Sequence, residues 1–248
     1  MTGTVHIVGA GLAGLACATA LAARGTPVAL YEAAGQAGGR ARSFHEARLD
    51  RRVDNGNHLV LGGNREVFRY LDRLGARGGL VPLADGAVPF LDLADGTRWR
   101  LRPGGRVPLW LLDRGRRVPG AGPLAHLAFL RLAAARPGDR VADLFDTGSV
   151  LWRRLWAPLA VSVMNTAPEE ASARLLWAVY RRTLLAGGDA CRPFVADAGL
   201  SECFVDPALA FLARRGAAPR FHARLRRLAV EGGRVTGLGF DGVAVALA

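Results

Sequence analysis

The chain has 248 residues, half of them hydrophobic and 22% charged, which suits a folded globular protein and excludes a disordered one. Its formal charge of +12 rests on 33 basic residues that are all arginine, and Ile7 is the only isoleucine. That pattern is what GC-rich coding produces, so the charge argues little for nucleic acid. With no zinc-finger spacing, RNA-binding aromatic motif or basic helix, no nucleic-acid partner is expected.

Cys17, Cys191 and Cys203 stand far apart. They form neither a disulfide framework nor a zinc site and suit a reducing, cytoplasmic setting, so each is expected to be a small buried residue and no metal is expected. The uncharged stretch from Ile7 to Ala23 lacks a basic flank and is broken by turn-spaced glycines, unlike a leader or a membrane span.

In chain order, Val5–Val8 reads as a buried strand and Leu12–Arg24 as a helix closed by Gly25. Val28–Glu32 reads as a second strand, parallel to the first through a right-handed crossover. From Gly35 to Gly63 the pattern predicts mostly loop, then a helix over Arg65–Leu74 and small strands between 80 and 120, among them Arg98-Trp99-Arg100-Leu101. Pro123 to Gly187 reads as helical, with Thr166-Ala167-Pro168-Glu169 as a capping box opening a helix that runs to about Ala186. Asp206-Pro207 opens another helix ended by Gly216, and Glu231-Gly232-Gly233 joins Leu225–Val230 to Arg234–Phe240 as a hairpin. Val243–Ala248 resembles a buried strand with nothing after it, which suggests a fragment of a longer protein.

The chemistry is concentrated near the N-terminus. Gly9-Ala10-Gly11-Leu12-Ala13-Gly14 follows a strand and opens a helix. Gly9 permits the turn, Gly11 lets backbone approach a pyrophosphate, and Gly14 lets helix and strand pack closely. The helix N-terminus offers amides and a positive dipole end to phosphate. Glu32, at the end of the second strand, is placed to accept ribose hydroxyls. Gly38-Gly39-Arg40 puts a basic side chain where it can swing back onto the pyrophosphate.

Together, Gly9–Gly14, Glu32 and Gly38-Gly39-Arg40 resemble the N-terminus of the flavin-containing amine oxidase and phytoene desaturase superfamily. Asp54-Asn55-Gly56-Asn57-His58-Leu59, with Gly63-Asn64 after it, resembles the squalene-associated FAD-dependent desaturases, whose activity is hydroxysqualene dehydroxylation. Similar segments recur along nearly the whole chain: Phe90–Leu93, Arg117–Gly120, Leu155–Ala160, Asn165-Thr166 with Ala171–Leu176, Cys191–Pro193 and Phe204–Pro207.

The resemblance implies an α/β fold: a Rossmann-like FAD-binding domain of the two-dinucleotide-binding type with an inserted, largely helical substrate domain, C-terminally truncated. On that plan residues 1–75 form the FAD-binding core and its loops, 76–200 the substrate region, mainly helical from about 123, and 201–248 an incomplete return to the FAD domain. FAD is the implied cofactor, held by Gly9, Ala10, Gly11, Leu12, Ala13, Gly14, Glu32, Gly38, Gly39 and Arg40. Asn57 and His58 are implied near the flavin, and the backbone around Leu225 beside the adenine. By chemistry alone His58 could transfer protons and Asp54 could bind a hydroxyl; both equally suit loop architecture. No residue is assigned as catalytic.

The implied reaction is hydride delivery to the allylic cation left when hydroxysqualene loses its hydroxyl, giving squalene. A carotenoid-type desaturase or an amine oxidase on the same scaffold, and an inactive remnant, are the rivals. The substrate is a hydrophobic isoprenoid, and the apolar runs Leu151–Met164, kinked at Pro158, and Leu176–Leu185 are candidates to line its tunnel as well as to form core. Arg98–Arg117, with seven arginines, one acid and interleaved Trp99, Leu109, Trp110, Leu111 and Leu112, suits peripheral contact with an anionic membrane.

Overall fold

A computed structural model of the chain describes residues 3–56, 58–83, 87–101 and 109–247. The chain divides into two compact units, one of residues 1–58, 66–81 and 195–248, the other of residues 59–65 and 82–194.

The first unit is organised by a parallel pair, Val5–Val8 beside Val28–Tyr31, in register from Val5↔Val28 to Val8↔Tyr31. The connecting helix, Leu12–Ala22, is alanine-rich and free of β-branched runs, and Gly25 (φ 76°) turns the chain after it. It buries Leu15, Ala18, Thr19 and Ala22 and packs on the helix Asp206–Ala213, which buries Ala208, Phe211 and Leu212. Cys17, expected inside, faces outward from the first helix, whereas Cys191 and Cys203 are buried. Burial pushes both buried thiols up to about 11.

Residues 43–54, expected as loop, form an antiparallel hairpin, Ser43–Glu46 with Arg51–Asp54. Farther on, Leu225–Glu231, Arg234–Phe240 and Val243–Ala246 make a three-stranded antiparallel sheet, and Gly232 and Gly233, both at positive φ, form the turn that Gly-Gly favours. Val243–Ala246 is an exposed edge strand and not the buried one expected, with Val243 59% exposed.

The second unit has one apolar core containing Trp99, Val118, Phe129, Leu132, Val141, Phe145, Leu151, Trp152, Leu155, Trp156, Leu176 and Tyr180. Its hairpin pairs Val88–Leu91 with Arg98–Leu101, and the alternation of the latter buries Trp99 and Leu101 while exposing both arginines. Trp99 and Leu111, expected in a lipid-facing run, are therefore core; residues 102–108 of that run lie outside the described residues.

Arg154 ties this unit together. Its Nε donates to Asp92 at 2.8 Å, its Nη1 to Pro119 O at 2.8 Å, and its Nη2 to Asp95, while the guanidinium lies 5.7 Å over Trp99. The Arg154 guanidinium holds the Asp92 carboxyl below the usual carboxylate range. A second closure joins Val60–Leu61 to Pro193–Phe194, with Gly62 N–H donating to Arg192 O and Gly63 N–H to Ala190 O.

Each unit contains a widened π-turn leading into a proline-initiated helix: Trp152–Trp156 before Ala157–Met164, and Ser201–Val205 before Asp206–Ala213. Pro158 and Pro207 lack an N–H and crowd the carbonyl four residues back, and a wider turn relieves that crowding. The kink expected at Pro158 is this turn.

The capping box at Thr166 is not used. Thr166 Oγ1 donates back to Met164 O, and the helix begins only at Ala173. Backbone bonds from Val141 N–H to Ala171 O and from Ala173 N–H to Asp139 O hold Ser172 extended ahead of that point. The helix stops at Arg182, short of Ala186, where Thr183 Oγ1 donates to Val179 O.

His126 is a buried neutral histidine. Its Nε2 accepts from Val118 N–H at 3.3 Å, so Nδ1 carries the proton donated to Gly122 O at 2.9 Å. Burial, reinforced by the charge of Arg117 and opposed by the bond to Gly122, pushes its pKa below 6.5. Its folded pKa lies below its unfolded one, so the contribution to stability is complete above about pH 6.5 and declines as pH falls through the folded value. The urea midpoint is expected to drop below pH 6.5 in the wild type, and the part of that drop due to His126 is expected to vanish in His126→Gln.

Candidate functional site

The glycine loop is built for close approach. Gly9 has φ 99°, a conformation side chains rarely adopt, and the first helical bond is Leu15 N–H to Gly11 O. No side chain caps this helix and no acid stands in its first turn, so amides ahead of Leu15 lack an intrahelical acceptor. A Cβ on Gly11 would meet nothing within 4 Å, leaving open space in front of the helix N-terminus.

Gly38-Gly39 lies alongside. Gly38 N–H donates to Ala10 O at 2.8 Å, Gly11 and Gly38 bridge in parallel, and a Cβ on Gly39 would come within 3.3 Å of Gly11 Cα. Arg40 is exposed, and no partner holds its guanidinium among the described residues.

Glu32 holds the loop together. Its Oε2 accepts from Ala10 N–H at 2.7 Å and its Oε1 from Ala34 N–H at 2.8 Å. A carboxylate has about four acceptor positions, so two remain for hydroxyl donors. The neighbouring stretch joins through the backbone: Arg220 pairs with Tyr31, Ala223 N–H donates to Glu32 O, and His222 N–H to Ala34 O. Leu225, two residues on, thus starts its strand beside the Glu32 turn. His222 was not legible as part of this corner; its ring lies 2.9 Å from where a Cβ on Gly35 would stand.

The 54–58 loop divides. Asn57 lies outside the described residues, and His58 is exposed. Asp54 spends one carboxylate oxygen on the fold: its Oδ1 accepts from Ser43 Oγ at 2.6 Å and Leu200 N–H at 2.9 Å. Ser43 and Ser201 complete the lock, Ser43 N–H donating to Ser201 Oγ and Ser201 N–H to Ser43 Oγ. These bonds give Asp54 an architectural role in the hairpin. Ser43→Ala would strand a buried amide and part of the Asp54 acceptor, and is expected to cost about 1–3 kcal/mol in denaturant unfolding.

Among the described residues no cluster of His, Cys, Asp or Glu could hold a metal, and no helix is long and apolar enough to cross a membrane.

A glycine turn between parallel strands, an uncapped helix N-terminus and an acid closing the second strand define a dinucleotide-binding protein. The sequence profile of the family described as flavin containing amine oxidoreductase matches residues 12–245, and the chain belongs to that family. Hydroxysqualene dehydroxylase of Rhodopseudomonas palustris is 44% identical over 98% of this chain and 58% of its own length. That of Sinorhizobium fredii is 42% identical over 99% and 60%. The chain therefore spans about 58% of the first of these relatives. Among solved structures, an oxidoreductase from Methanosarcina mazei superposes with a TM-score of 0.67 at 13% identity, covering 98% of this chain and 57% of that one. Wild-type putrescine oxidase bound to putrescine gives 0.64 at 20% identity, covering 100% and 57%. At those identities the likeness concerns the fold.

Proposed function

We propose that the chain is the FAD-binding and substrate-contacting portion of an oxidoreductase that converts hydroxysqualene to squalene. The observation that carries the cofactor reading is the open space in front of Gly11, walled by Gly38-Gly39 and faced by uncapped helix amides. The substrate reading rests on the 44% identity to a hydroxysqualene dehydroxylase along nearly the whole chain.

The residues fit FAD part by part. Backbone of Gly9, Ala10 and Gly11 and the first turn through Leu12, Ala13 and Gly14 hold the pyrophosphate, with Arg40 neutralising it from the Gly38-Gly39 side. Glu32 accepts ribose hydroxyls on the acceptor positions left by Ala10 and Ala34, and backbone near Leu225 lies along the adenine. His58 belongs to the loop that we assign to the neighbourhood of the flavin ring. When bound in its reduced form, the flavin would supply the hydride that replaces the hydroxyl departing as water, and would itself be oxidised. The apolar second unit is the portion we assign to the hydrocarbon chain of the substrate.

Chain purified with excess FAD and then desalted is expected to keep the flavin, and Gly11→Val to bind it at least about tenfold more weakly while staying folded. Equal retention by the variant would remove the phosphate role from Gly11. Anaerobic incubation of the complete oxidoreductase with reduced flavin and hydroxysqualene tests the substrate separately: squalene supports the reading, and its absence from flavin-loaded enzyme overturns it.

A further inference from the structure

Among the described residues, three buried side-chain nitrogens lack a hydrogen-bond partner: the indole nitrogens of Trp99 and Trp156, and Nε of Arg42. The indoles are neutral and sit in the apolar core of the second unit. Arg42 belongs to the first unit and keeps its charge at any physiological pH. It is half-buried just ahead of the Ser43–Glu46 strand, and no ion pair holds its guanidinium among the described residues.

The acids on the elements packed beside it are engaged elsewhere. Glu202 Oε1 pairs with Arg52 at 2.6 Å, and Asp54 Oδ1 accepts from Ser43 and Leu200. A guanidinium has five N–H donors, and withdrawing it from water without an acceptor opposes folding. Arg42 is therefore a cation held ready for an anion that the described residues do not supply.

Its surroundings lead to the glycine loop. A Cβ on Gly38 would come within 3.2 Å of Arg42 Cβ, and one on Gly39 within 3.3 Å of Gly11 Cα. The Arg42 stem and the helix N-terminus thus flank one pair of glycines. Asn55 fixes the backbone on both sides of Ala41: its N–H donates to Arg42 O at 2.9 Å and its Nδ2 to Arg40 O at 3.1 Å. Ala41 N–H closes the turn onto Gly38 O at 3.0 Å. One clamped turn presents two arginines, Arg40 exposed and Arg42 half-buried.

We propose that Arg42 is a second cationic ligand of the dinucleotide, its guanidinium donating to an anionic group of the bound cofactor. The proposal rests on the FAD reading. Two parts of FAD offer such a group: the diphosphate, and the flavin ring when reduced. Being half-buried, the Arg42 charge is screened less by salt than that of Arg40, so the two are not interchangeable.

The test is titration of the apo form of the complete oxidoreductase with oxidised FAD, reduced FAD and ADP, which has the diphosphate and lacks the flavin. Arg42→Gln is expected to raise the Kd of reduced FAD at least about tenfold, the loss of one charge-assisted contact, and Arg42→Lys to recover part of it. The urea midpoint of apo Arg42→Gln is expected to stay at or above wild type, because an unpaired charge is removed. A loss shared by ADP assigns the contact to the diphosphate; a loss that spares ADP assigns it to the flavin half. Unchanged affinity for all three ligands would overturn the proposal. So would an apo midpoint lowered by Arg42→Gln, which would make Arg42 a structural residue. Wild-type enzyme that binds no FAD would overturn the cofactor reading itself, whereas equal FAD binding by wild type and variants removes only the role of Arg42.

Discussion

Gly14→Ala is expected to destabilise the chain by at least about 3 kcal/mol, a large part of the margin of an ordinary domain. A Cβ at position 14 would lie 1.8 Å from Gly9 O and 3.0 Å from Gly9 C, both backbone atoms that no rotamer change can move. The helix cannot simply step outward, because its buried residues Leu15, Ala18 and Ala22 anchor it and Asp206–Ala213 packs on it. Gly11→Ala is the control: its φ of −71° suits alanine and its Cβ would meet nothing, so its unfolding midpoint should stay near wild type. Denaturant titration of both variants by circular dichroism checks the pair, and a Gly14→Ala midpoint equal to that of Gly11→Ala would refute the close packing.

Trp156→Ala is expected to cost about 3–5 kcal/mol, the usual range for emptying a buried aromatic site. Trp156 is 2% exposed, stacks on Phe145 at 4.8 Å and lies tilted against Tyr180 at 5.8 Å. Its position is set by the widened turn ahead of Pro158, so neighbours cannot easily close over the gap. Its Nε1 is buried without a partner among the described residues. Trp156→Phe keeps a stacking ring and removes that donor, and should cost well under the alanine change. Thermal or urea unfolding that ranks the two variants the other way would place Trp156 outside the core.

The first βαβ unit was legible because its signals are local. Strand, glycine turn, helix and acid all lie between Val5 and Glu32, and each position has a short-range reason. The Ser43–Asp54 hairpin was not legible, since only Phe44 and Val53 mark its apolar face among charged neighbours. Thr166 gave a correct local signal that lost to the bonds drawing residues 171–173 onto 139–141. Asp54 looked chemical because carboxylates in glycine loops often are, and its partners Ser43 and Leu200 are set by the fold and not by spacing. The middle segments that carried the family resemblance meet in space: Asp92 and Pro119 both bind Arg154, next to Leu155, and the Gly63 segment closes on Ala190 and Arg192. Much of what made them recognisable is architecture.

Glu32 has a consequence for the kinetics of any nucleotide laid on this loop. Its carboxylate already fastens Ala10 on one side and Ala34 on the other, so the turn holds its shape in the free protein. The ordering entropy of the glycines is met during folding and does not oppose each binding event. Association is then limited by encounter and orientation, and differences in affinity between ligands fall on how long each one stays.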